Sequence, residues 1–145
     1  MLTGSFDLDG HKARAKARKR LGPYGFDIFK SGKHSQPKNP YFVTKLRAKR
    51  MNELFVPADV VRDHNLNLPS EIILRDPQGR AWTAKLRHWS DGRRWYCGGW
   101  RKLCRLNLVI EKDTCICEFV KRRNQGLFIK VTFIRVEDDA SIQNK

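Results

Sequence analysis

From residue 41 onward the chain falls into short runs in which apolar and polar side chains alternate, each closed by residues that favour turns. A period of two is the signature of strands with one buried face. Residues 41–46 and 54–56 predict the first two strands. Pro57 then supplies a φ suited to a first helical turn, so residues 58–64 predict a two-turn helix with Val60 and Val61 towards the core. Residues 71–75 read as a third strand. Asp76, Pro77, Gln78 and Gly79 make the turn after it, because proline presets φ and glycine accepts a positive one. Residues 80–88 alternate most clearly, with Trp82, Ala84 and Leu86 on one face and Thr83, Lys85 and Arg87 on the other. Ser90, Asp91 and Gly92 reverse the chain into a strand at 94–97. Gly98 and Gly99 break the pattern, and residues 100–106 read as a short helix or a turn. Residues 114–120 and 127–136 pair as a final hairpin. Roughly seven strands and two short helices in hairpin rhythm predict an all-β domain, closed or nearly closed as a barrel.

Residues 1–39 lack this pattern. The basic run at 12–20 favours helix by propensity yet has no apolar face to bury. It is expected to be disordered alone and helical only against an acidic partner. Gly22, Pro23, Gly25, Ser31, Gly32 and Pro37 read as linker. The organisation expected is therefore a disordered basic tail and linker at 1–39, a domain at 40–136, and an acidic, polar tail at 137–145.

Charge changes the picture from fold to partner. Thirty Lys and Arg stand against fifteen Asp and Glu, a formal net charge of +15. Such an excess calls for a polyanion: DNA, RNA or an anionic membrane surface. No run approaches the ~20 apolar residues that a membrane span needs. No apolar leader opens the sequence, so a soluble, intracellular protein is expected. Cys97, Cys104, Cys115 and Cys117 are separated by six, ten and one residues, unlike the tight pairs of structural zinc sites. They are expected as small buried hydrophobes, with no metal and no disulfide. The basic run at 12–20 fits either an import signal or non-specific DNA contact.

Two clusters carry candidate chemistry. Arg47, Lys49, Arg50 and Asn52 sit between strands; Trp89, Ser90, Asp91, Arg93 and Arg94 surround a tight turn. Arginine's planar fork can pair bidentately with guanine and asparagine with adenine, whereas lysine suits phosphate. Arg101 and Lys102 are further candidates for phosphate. Trp82, Trp95 and Trp100 fit a core role better than a stacking one. No Ser/His/Asp order, phosphate-cradling glycine loop or helical His-Glu-x-x-His motif is present, so neither an enzyme nor a cofactor is expected.

Several segments occur in an order that carries a resemblance: Leu54-Phe55-Val56-Pro57, Leu68-Pro69-Ser70-Glu71-Ile72-Ile73-Leu74-Arg75-Asp76, Gly79-Arg80-Ala81-Trp82, Gly99-Trp100, Asn107, Lys112-Asp113-Thr114-Cys115-Ile116-Cys117-Glu118-Phe119 and Phe133-Ile134-Arg135. The set resembles the plant-specific B-three DNA-binding domain. The lead-in Lys38-Asn39-Pro40-Tyr41-Phe42 is similar to the reproductive-meristem class of that family. Lys112 replaces the usual glycine before the aspartate, and Leu103 the usual phenylalanine after Gly-Trp. The resemblance implies a seven-stranded open β-barrel with two short helices, seated on the major groove of double-stranded DNA. It implies two recognition loops, at 47–52 and 89–94. A nuclear transcription regulator that reads sequence is then expected, with homo- or hetero-association with other regulators as a further partner class. The alternative is a basic chromatin- or RNA-associated module acting through charge alone.

Overall fold

The computed structural model describes residues 22–124 and 126–136. The basic run at 12–20 and the tail at 137–145 lie outside the described residues. Seven strands form one mixed sheet: β1 (Tyr41–Thr44), β2 (Glu53–Val56), β3 (Glu71–Arg75), β4 (Ala81–His88), β5 (Arg94–Cys97), β6 (Thr114–Arg122) and β7 (Gly126–Ile134). Short helices lie at α1 (Phe26–Lys30), α2 (Ala58–Asp63) and α3 (Trp100–Leu106), and a 3₁₀ turn at Ala48–Arg50. The strand order is β1-β6-β7-β3-β4-β5-β2. Neighbours are antiparallel except β3 and β7, which run parallel.

One apolar cluster draws on every strand, which is what makes the sheet a barrel. Phe42, Leu54, Val56, Ile72, Leu74, Ala84, Tyr96, Phe119, Ile129 and Val131 point inward, and Trp100 and Leu103 of α3 plug the interior. Cys104, Cys115 and Cys117 belong to the same cluster, in keeping with thiols used as small hydrophobes. Burial and the neighbouring Cys115 push the Cys117 thiol up, so it stays protonated. Strands β1 and β2 are not paired with each other. The barrel is therefore open along one seam, crossed by the loop at 45–52.

The turn after β3 follows its sequence reading closely. Asp76 is buried, and its carboxylate accepts hydrogen bonds from the Gln78 and Arg80 N–H groups (3.1 and 2.8 Å), Arg80 Nε (2.7 Å) and Asn107 Nδ2 (3.1 Å). The turn is thereby tied to the end of α3. At the other end of that helix, Gly99 has φ +78°, and a Cβ there would stand 2.8 Å from Trp82 Cβ. Only glycine fits where α3 turns so close against β4.

The reading of Gly22, Pro23, Gly25, Ser31, Gly32 and Pro37 as linker, within the tail and linker expected at 1–39, is corrected at residues 23–29. Part of this segment packs on the outward face of β1, β6 and β7. Tyr24, Ile28 and Phe29 cover Tyr41, Val43, Ile116 and Ile134 in a second apolar cluster. The Val43 N–H donates to Pro23 O (2.8 Å), Tyr41 Oη to Tyr24 O (2.8 Å), and Tyr24 Oη to Asp63 Oδ2 of α2 (2.8 Å). Burial, and then the Asp63 carboxylate, push the Tyr24 phenol up to about 12. Gly25, at φ +54°, allows the approach, since a Cβ would meet Val43 Cγ2 at 2.8 Å.

Candidate nucleic-acid interface

The site is built on β5. Side chains alternate along a strand, so with Tyr96 inside the barrel Trp95 must point out. Register places Phe55 of β2 and Arg87 of β4 on either side of Trp95. Trp89, in the loop after β4, stacks on it with centroids 5.1 Å apart and planes at 30°, and Phe55 lies at 5.0 Å. These three rings form an aromatic floor on the outside of the sheet.

Three arginines lie over that floor. The Arg50 guanidinium is 4.2 Å from the Trp89 centroid and 5.4 Å from that of Trp95. Arg93 is 4.8 and 5.8 Å from the same rings, and Arg47 is 5.8 Å from Trp95 and 5.9 Å from Phe55. Trp95 is fully buried as a result, although it belongs to neither apolar cluster. Its indole N–H has no partner among the described residues. Each cation–π contact is worth about 0.5–1 kcal/mol at exposed sites. They also gather the three guanidinium groups on one surface.

Acidic neighbours orient two of the forks. Arg50 Nη1 donates to Glu53 Oε1 at 3.0 Å. In the β4–β5 turn, the Gly92 N–H donates to Trp89 O and the Trp89 N–H to Arg93 O, both 2.9 Å. Arg93 donates to Asp91 through its backbone N–H (3.0 Å) and through Nε (2.7 Å). That backbone bond, with the guanidinium behind it, holds the Asp91 carboxyl below its ordinary value. Using Nε for the aspartate leaves the two Nη groups of Arg93 for an outside acceptor.

The sequence-selected residues therefore separate. Arg47, Arg50, Trp89 and Arg93 converge on one surface, with Asp91 orienting Arg93. Lys49 and Ser90 are exposed at the tips of the same two loops. Asn52 is exposed, and its carbonyl accepts from the Gly98 N–H (3.1 Å), which docks the first loop beside the start of α3. Arg101 and Lys102 are exposed on that helix. Arg94 does not join the cluster. It opens β5 opposite Val56 and His88, on the same side of the strand as Tyr96 and away from Trp95. Sequence reasoning missed Phe55, Glu53 and Arg87; Trp95, expected to be buried, is buried, but beneath the arginines on the outer side of the sheet. The alternation that put Lys85 and Arg87 on the polar face of β4 was the available signal for Arg87.

A family model for the B3 DNA binding domain matches residues 42–134. The chain belongs to the B3 DNA-binding domain family. Its relatives include the B3 domain-containing protein At4g34400 of Arabidopsis thaliana, 30% identical over 130 residues, covering 88% of this chain and 31% of that protein. The B3 domain-containing protein REM20, also from Arabidopsis thaliana, is 39% identical over 83 residues, covering 57% and 28%. The chain thus spans about a third of the length of these curated relatives. Among solved structures, the hypothetical Arabidopsis thaliana protein At1g16640.1 superposes with a TM-score of 0.51 at 15% identity, covering 68% of this chain and 95% of that one. This likeness bears on the fold. The B3 barrel is a DNA-binding fold and not an enzymatic one, and among the described residues no helix is long and apolar enough to cross a membrane.

Proposed function

We propose that this B3 protein is a nuclear transcription regulator of the reproductive-meristem class that reads base sequence in double-stranded DNA. The observation that carries the reading is the convergence of Arg47, Arg50 and Arg93 over Trp89 and Trp95. Guanidinium groups gathered on a rigid sheet, two of them tied to carboxylates, suit bidentate recognition of guanine. Lys49, Ser90 and Asn52 on the two loops, with Arg101 and Lys102 at the exposed start of α3, suit phosphate contacts, which set register and affinity without reading bases. Arg94 keeps only a supporting place at the strand end. The protein works without catalysis, and association with other regulators is part of the proposal.

Selection of bound duplexes from a random pool tests the reading. An enriched motif is expected; a flat outcome would return the protein to the class of basic modules that bind by charge alone. Affinity should also fall steeply with salt, with a log–log slope near −5 if about 6 phosphates are contacted. Removing residues 1–21 should flatten the slope and leave the motif unchanged. The cut belongs there because residues 23–29 are packed on the barrel.

A further inference from the structure

A second surface has features that the DNA-binding face does not use. Five large apolar side chains are exposed among the described residues, and three fall within five positions: Leu106 (53% exposed), Leu108 (82%) and Ile110 (50%). Leu108 has φ +55°, the left-handed region that a leucine adopts only at a cost. The reason is the end of α3. The Val109 N–H donates to Cys104 O (2.9 Å) and the Leu108 N–H to Arg105 O (3.1 Å), the paired bonds of a Schellman motif. Its left-handed position belongs by default to glycine, or else asparagine, and here it holds the most exposed apolar side chain of the five. Folding gains nothing from a leucine that is both strained and solvated, so its use lies outside the fold.

The surroundings define what fits. Leu108 and Ile110 line a groove of about 290 Å³ floored by Asn107, Asp113 and Arg135. Arg135 is fixed in it, donating to Asn107 O (2.6 Å) and Asp113 Oδ2 (3.3 Å). Arg105 is exposed on the last turn of α3 and Lys112 follows the groove, against one exposed acid, Glu111. A second copy of this chain would bring like charges together. The groove also lies towards the start of β4, and Trp95 lies beside Arg87 near the end of that strand. Asn107 is hydrogen-bonded to Asp76 at the end of β3, and Arg135 follows β7, whereas Trp95 faces outward between β2 and β4.

We propose that Leu106, Leu108 and Ile110 form a docking site for an acidic, leucine-bearing amphipathic segment of a partner protein, open while DNA is bound. The apolar trio seats the partner's leucines, and Arg105 with Lys112 meets its carboxylates. The test uses the full chain and a fluorescein-labelled synthetic helix with leucines on one face and glutamates on the other. Leu108→Asn is the informative variant, because asparagine suits the left-handed position and should hold or raise thermal stability. The expected result is a loss of peptide affinity on the order of tenfold, with DNA affinity unchanged and the same loss for Ile110→Ser. Equal binding of Leu108→Asn and the parent would overturn the proposal. So would equal binding of a peptide whose leucines are replaced by serine, since charge alone would then suffice. A dimer in sedimentation that Leu108→Asn dissolves would assign the patch to a second copy instead.

Discussion

Trp95→Ala should lower the unfolding free energy by about 3 kcal/mol and remove most DNA affinity at the same time. Trp95 is fully buried, which places it among the large aromatic truncations that cost about 3–5 kcal/mol. The lower end applies because its cover is three arginine side chains and Trp89, which can settle into the space more readily than barrel strands can. A fall in Tm of roughly 10 °C corresponds to such a loss in a domain of this size. Trp95→Phe should cost much less. It keeps a ring for Arg47 and Arg50 to lie on, and it deletes a buried indole N–H that has no partner among the described residues, itself worth about 1–3 kcal/mol of desolvation. Denaturant titration of both variants checks the pair. An alanine variant as stable as the parent would mean that the floor is not packed as described.

The second large effect belongs to Asp113. This buried carboxylate accepts from the Ile110 N–H (3.0 Å), the Val136 N–H (2.8 Å) and Arg135 Nη1 (3.3 Å). Burial by itself would raise its pKa, but the two backbone bonds and Arg135 outweigh that and hold it below its ordinary value of 3.8. Asp113→Ala strands a half-buried guanidinium and two N–H groups, and should cost about 3–5 kcal/mol. The pH dependence follows from the sign of the shift. A depressed folded-state pKa gives stability that is complete above the unfolded value and is lost as pH falls through the folded one. Asp76 is held low in the same way, by Asn107 and Arg80 against its own burial. Stability should therefore be flat in these groups from neutral pH down to about 4–5 and decline below. Asp113→Asn cannot lose what it lacks, so its deficit against the parent should shrink in acid. A deficit that stays constant to pH 2 would contradict this.

Much of the barrel was legible because its punctuation is local. The strands at 71–75 and 94–97 and the helix at 100–106 carry the predicted bounds, each set by nearby Pro77, Gly79, Gly92 or the Gly98-Gly99 pair. Two features hidden from any local pattern have a common physical cause. Tyr24, Ile28 and Phe29 are too few, among glycines and prolines, to give a period, and their burial depends on Tyr41 and Val43 presenting an apolar outer face. Trp95 and Tyr96 are adjacent large aromatics, so alternation alone does not tell which one enters the barrel. Burial by Arg47, Arg50 and Arg93 comes from segments more than forty residues apart, and no local pattern encodes it. For Arg94 the reverse holds: its place beside Arg93 suggested a shared role, while strand alternation sends the two side chains to opposite faces.

Whether Arg93 reads a base or merely holds the duplex is decided by measuring Arg93→Ala against the selected motif and against every single-base change in it, at one fixed salt concentration. The expected result is a loss of about 1–3 kcal/mol on the motif, with discrimination collapsing at one base pair and intact at the others. Lys102→Ala should weaken all duplexes alike, because a phosphate contact carries no base information. Circular dichroism on each variant separates a binding effect from a folding one. A folded Arg93→Ala protein that loses equal affinity for the motif and for scrambled duplexes would contradict a base-reading role.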